Sequence, residues 1–221
     1  MEEQMQIGEA VPHVQVSGGG TPLVWAHGLM SSIEAEDALG WFGWDQLPDS
    51  VRLIRYDARG HGKASKARGT DTYHWRNLGN DMLAVADATD AQHFIAGGMS
   101  MGCASAIHAA VQAPERIKGL VLAMPPMIWE KRAAQRAMYQ RIAQRGAEAD
   151  GRAMAKLMSR AMAKLMSRDL ARTLPHWLAE ASPGITDSLA IGVRALDRRI
   201  IADLFHGAAI SDLPPRPALG A

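Results

Sequence analysis

The chain has 221 residues, 48% of them hydrophobic and 21% charged, which is enough for one core with a small accessory lobe and excludes a disordered polypeptide. A net charge of +1 argues against a protein built to grip nucleic acid or an anionic membrane, and a single cysteine excludes an intramolecular disulfide and argues against a cysteine-based zinc site. Met1-Glu2-Glu3-Gln4 lacks the apolar run of a secretory signal, and the longest apolar stretch, residues 120–129, is broken by Pro125-Pro126, so a cytoplasmic protein with no membrane partner is expected.

In chain order, residues 13–16 read as a strand that runs into the turn Ser17-Gly18-Gly19-Gly20. Residues 22–26 form a nearly continuous apolar run ending at His27-Gly28, and residues 51–56 form another, ending at Asp57. Residues 94–99 and 117–123 supply two more. Such runs suit strands buried on both faces, which means a parallel sheet with helices on each side. Residues 32–44, 73–88 and 101–112 are the expected crossover helices, with Ser31-Ser32-Ile33-Glu34 offering a hydroxyl cap and an early acid to the first. Alternation of the two patterns predicts an α/β fold.

Beyond residue 126 the texture changes. Residues 1–126 carry 9 Lys and Arg against 14 Asp and Glu, whereas residues 127–221 carry 15 against 9. Helical spacing predominates from residue 127 onward, with helices expected over 129–145, 151–170, 174–181 and 185–205. The division expected is therefore a core over 1–126, an all-helical cap over 127–206 and a tail over 207–221. A basic second lobe suits solvated helix faces or anionic substrates. Residues 153–160 recur unchanged as residues 161–168, and Met154, Leu157, Met158, Ala161, Met162, Leu165 and Met166 form one amphipathic stripe. That stripe suits core packing, or an adaptable substrate pocket.

The chemistry concentrates in Gly98-Met99-Ser100-Met101-Gly102. A serine on a tight turn between a strand and a helix projects its hydroxyl above the sheet, and small residues two before and two after it relieve the crowding of that turn. Ser100 then stands at a helix N-terminus, where the Met101 N–H faces a developing oxyanion. His27-Gly28-Leu29-Met30 follows an earlier strand and can turn the Leu29 N–H toward the same oxyanion, with the His27 side chain holding backbone. Cys103 reads as a small buried helix residue.

Together with Asp57-x-Arg59-Gly60-His61-Gly62 and Ala113-Pro114-Glu115-Arg116-Ile117, these motifs resemble the α/β-hydrolase fold superfamily, in its esterase and lactonase-like branch with a helical cap. They cover residues 10–126 in the family's order. The resemblance implies Ser100 as catalytic nucleophile and the Leu29 and Met101 N–H groups as oxyanion hole, with His27, Gly28, Gly98 and Gly102 in support. It implies no cofactor, no metal, and a small-molecule ester or lactone as substrate. Asp57, Arg59 and His61 are structural in that family. In family order a triad acid and histidine come after the cap, on about 50 further residues. Only 15 residues follow His206, none of them histidine, so a core lacking its last two strands is expected. Two consequences follow. The chain is either a serine hydrolase or a non-catalytic remnant or binding module without a complete triad. The strand Ile117–Ala123 becomes an apolar edge that invites pairing with another copy of the chain.

Overall fold

A computed structural model describes residues 2–4, 12–66, 69–146, 191–192 and 194–215. Six strands form one sheet: β1 (Glu2–Gln4), β2 (His13–Gly18), β3 (Thr21–Ala26), β4 (Val51–Asp57), β5 (Phe94–Met99) and β6 (Ile117–Ala123), in spatial order β1-β2-β4-β3-β5-β6. β3 is parallel to β4 and β5, and β5 is parallel to β6, so the four apolar runs make the parallel heart of the sheet. β2 is antiparallel to β4, with His13 opposite Asp57, and β1 adds antiparallel to β2. β1 has no counterpart among the expected strands: three residues carry no periodicity, and its visible cause is the long-range pairing with residues 13–15.

Five helices among the described residues flank this sheet or pack beside it. Helix α1 (Ile33–Leu39) is capped by the Ser32 hydroxyl, which accepts the Ala35 N–H at 3.0 Å. The helix expected over residues 32–44 stops at Leu39, because Gly40 adopts a left-handed conformation and returns its N–H to the Glu36 carbonyl. Trp44–Gln46 is a separate 3-10 turn. Helix α2 (Trp75–Ala88) and helix α3 (Met101–Gln112) pack together on one face of the sheet, over Val24, Ala26, Ile54, Tyr56 and Ala96. Leu23, Trp25, Leu53 and Met99 line the other face, where Trp41, Phe42, Trp44 and Leu47 cover them. Trp25 meets Phe42 and Trp44 edge-on, with ring centroids 5.0 and 5.1 Å apart.

Beyond the core, α4 (Arg132–Gly146) follows a 3-10 turn at Trp129–Lys131. The helix expected over 185–205 is broken instead at residues 195–197, and α5 (Arg198–Ile210) continues past residue 206. Asp197 stands at the restart and accepts the Ile200 N–H through its carbonyl. α4 and α5 share an apolar cluster of Met138, Tyr139, Ile142, Ile200, Leu204 and Phe205 that also takes in Met30 and Tyr73. The accessory helices therefore sit directly on the loop after β3. The duplicated segment and the helices expected over 151–170 and 174–181 lie outside the described residues.

Candidate active site

Ser100 occupies the turn between β5 and α3 with φ 52° and ψ −108°, a left-handed conformation that costs a residue with a Cβ about 1–3 kcal/mol. The turn closes because both flanking glycines are forced. A Cβ on Gly102 would overlap the Ala26 carbonyl oxygen, and one on Gly98 would overlap the Gly102 backbone and approach Ala26 O at 2.7 Å. The Ser100 N–H is held by the Ala123 carbonyl at the end of β6, 3.0 Å away. Cys103, one turn into α3, donates its thiol toward Gly98 O and Ala123 O at 3.0 and 3.1 Å. Burial pushes that thiol up to about 11, so it acts as a strut rather than a nucleophile.

The second wall of the site is the loop after β3. A Cβ on Gly28 would stand 3.6 Å from Ser100 Cβ, so this loop lies against the serine turn. Residues 28–31 close a tight turn through Ser31 N–H to Gly28 O at 3.1 Å, with Met30 at φ 61° and fully buried. His27 pins the loop from beneath. Its Nε2 accepts the Ala58 N–H at 3.0 Å, which leaves the proton on Nδ1, 2.8 Å from the Gly28 carbonyl. Burial keeps this imidazole below the ordinary histidine range, consistent with the neutral tautomer those two bonds require.

Under the loop lies a buried cluster of titratable groups. Asp57 accepts N–H bonds from Ile33 at 2.8 Å and Lys63 at 2.9 Å, and His13 Nδ1 lies 3.3 Å from its second oxygen. His61 turns Nδ1 to the Arg59 carbonyl at 3.0 Å, and burial, with His27 next to it, pushes its pKa down to about 3. Arg59 grips Asp81 on α2 with both guanidinium branches. Glu36 accepts the Trp25 Nε1–H at 3.1 Å, and burial raises its carboxyl to about 7. Sequence reasoning passed over Glu36 because an acid in the first turn of a helix normally serves the dipole; only the Trp25 indole explains its burial.

Among the described residues, the Ser100 hydroxyl and the Leu29 and Met101 N–H groups make no hydrogen bond. Seven of the eight histidines lie in described positions, and none is bonded to Ser100. His13, His27 and His61 belong to the cluster around Asp57. His74 accepts the Arg76 N–H at the start of α2, and His108 bonds the Asp212 carbonyl at 2.9 Å. His93 and His206 are exposed. Described residues hold no group of three or more His, Cys, Asp or Glu suited to a metal ion, and no helix long and apolar enough to cross a membrane.

A sequence profile described as alpha/beta hydrolase fold matches residues 21–172, which contain the Gly28 loop, the Ser100 turn and α4. Among solved structures, a hydrolase from Pseudomonas aeruginosa PA01 superposes with a TM-score of 0.70 at 22% identity, covering 96% of this chain and 73% of its own. The enol-lactonase from Burkholderia xenovorans LB400 gives a TM-score of 0.69 at 20% identity, covering 96% and 75%. The dihydrolipoyllysine-residue acetyltransferase component of an acetoin cleaving system from Pseudomonas putida is 34% identical over 105 residues, 47% of this chain. The chain spans about a quarter of that relative's length (26%).

Proposed function

Because the chain belongs to the alpha/beta hydrolase fold family, we propose that it is a serine hydrolase acting on small carboxylic esters or lactones through an acyl-enzyme on Ser100. The observation that carries this reading is the left-handed Ser100 turn, whose hydroxyl and neighbouring Leu29 and Met101 N–H groups are left without partners on the described chain. Attack of Ser100 Oγ on the carbonyl carbon forms a tetrahedral intermediate whose oxyanion takes the two N–H groups. The C–O bond to the alcohol then breaks, the leaving alkoxide takes up the proton given up by the Ser100 hydroxyl, and water hydrolyses the acyl-serine to a carboxylic acid and free Ser100. A lactone follows the same steps with its alcohol still tethered. An enol-lactonase is among the solved structures that share this fold, and a lactone is compatible with it as substrate. His27 is not the base in this scheme: both its ring nitrogens are committed to backbone, and its task is to hold Gly28 and Leu29 in place.

One observation favours a second reading, a binding module without turnover. None of the seven described histidines is bonded to Ser100, and an unassisted serine is a poor nucleophile at neutral pH. Hydrolysis of aryl acetates and simple lactones by the full chain separates the two. Turnover that falls by about 100-fold or more in Ser100→Ala supports the hydrolase. Folded protein with no turnover above that variant supports the binding module.

A further inference from the structure

The loop that carries Leu29 is held from two sides. The core fixes its ends: His27 bonds Gly28 and Ala58, and beyond the loop Asp57 accepts the Ile33 N–H at 2.8 Å. The accessory helices hold its middle. Met30 is fully buried in a cluster with Tyr139, Leu196, Ile200 and Leu204, and Leu29 packs against both that cluster and the main core. The helical turn ahead of α5, closed by Ala195 N–H on Ile191 O at 3.2 Å, comes closer still. A Cβ on Gly192 would overlap the Met30 carbonyl oxygen and stand 3.1 Å from Ser31 Cα, so backbone rests on backbone with no room for a methyl group. Gly207, farther along α5, is seated in the same way, with 2.9 Å from its Cβ position to Thr70 O. Both the buried cluster and the Gly192 turn bear on a strained residue. Met30 has φ 61°, the sign that the turn closed by Ser31 N–H on Gly28 O needs at its third position and that a residue with a side chain avoids. A methionine there does not favour the turn by itself, so the packing around it has to hold the conformation.

We propose that Met30 and Gly192 are positioning residues that couple the accessory helices to the oxyanion donor. The buried Met30 side chain and the seat of Gly192 on the Met30–Ser31 peptide together hold the turn that carries the Leu29 N–H. Released from the helices, Met30 relaxes toward negative φ and takes Leu29 with it. Displacing the accessory helices therefore disarms the site without touching Ser100. The kinetic side of this coupling rests on the reading of Ser100 as nucleophile; the structural side does not. An oxyanion donor acts on charge that develops in the transition state, so misplacing it lowers kcat and leaves KM nearly unchanged.

Hydrogen exchange of the Ser31 amide in the full chain, followed by NMR, and steady-state hydrolysis of an aryl acetate test this with two variants. Gly192→Ala forces the two backbones apart. Met30→Gly removes the buried side chain and also removes the strain of the left-handed turn, so a turn held by its own residues would become firmer and its Ser31 amide would exchange more slowly. The coupling predicts the reverse. Ser31 exchange should rise about 10-fold or more in both variants with an unchanged circular dichroism spectrum, and kcat should fall about 10-fold with KM nearly constant. Should Gly192→Ala not fold, Met30→Gly, which introduces no overlap, decides the matter. Slower Ser31 exchange in Met30→Gly would overturn the coupling. So would wild-type exchange in folded Gly192→Ala, or a loss of turnover expressed in KM alone. Wild-type protein without turnover would strike the hydrolase reading instead, and the exchange of Ser31 would still decide whether the helices hold the turn.

Discussion

Two buried residues of the cluster beneath the Gly28 loop pull stability in opposite directions with pH. His61 has a native pKa of about 3 against an ordinary 6.5, so between those values the unfolded chain binds the extra proton and stability rises with pH. Glu36 is raised to about 7 from 4.5, so the native state keeps a proton that the unfolded chain has released. Stability from that group is present below 4.5 and lost as pH climbs toward 7. Glu36→Gln should therefore remove the fall and leave the rise. Measured by urea unfolding, the wild type should lose on the order of 2–3 kcal/mol relative to Glu36→Gln between pH 4.5 and 7. A constant difference across that range would mean that Glu36 is not buried as its bond to the Trp25 indole indicates.

At the scale of elements, the accessory helices are fastened to the core by two arginines of α4 that cap the end of α5. Arg132 Nε donates to the Ser211 carbonyl at 3.0 Å, its other branches reach Ala208 O and Gln135, and its guanidinium lies 4.1 Å from the centroid of Trp75 on α2. Arg136 adds a bond to Ala209 O at 2.9 Å. Positive groups on the last carbonyls of a helix answer its dipole, and here they satisfy acceptors that would otherwise be buried unpaired. Ser211 completes the joint: its hydroxyl accepts the Trp75 N–H at 3.0 Å and donates to Gly207 O at 2.6 Å, while Leu213 enters the main core. Arg132→Met should lower the unfolding free energy by about 2–4 kcal/mol in chemical denaturation, and Arg136→Met by about 1 kcal/mol. In the sequence Arg132 is one cation among many on a basic helix. Its burial depends on carbonyls about 80 residues away, a relation that no local pattern carries.

Across the whole molecule, legibility follows the range of the cause. The Ser100 turn could be read because each determinant is local: the apolar run of β5, the glycines two residues to either side, and the small residues opening α3. The parallel heart of the sheet was likewise visible, since strands buried on both faces leave continuous apolar runs. Long-range causes were hidden. β1 exists through its pairing with β2, and the break at residues 195–197 interrupts a helical pattern that periodicity alone carries through.

The hydrolase proposed for this chain requires a reactive Ser100, and intact-mass analysis after reaction with a fluorophosphonate reads that reactivity. One phosphonyl adduct per chain is expected, mapped to Ser100 by peptide sequencing and absent from folded Ser100→Ala. Wild-type protein that is folded by circular dichroism yet stays unlabelled would contradict it, as would an adduct that persists in the Ser100→Ala variant.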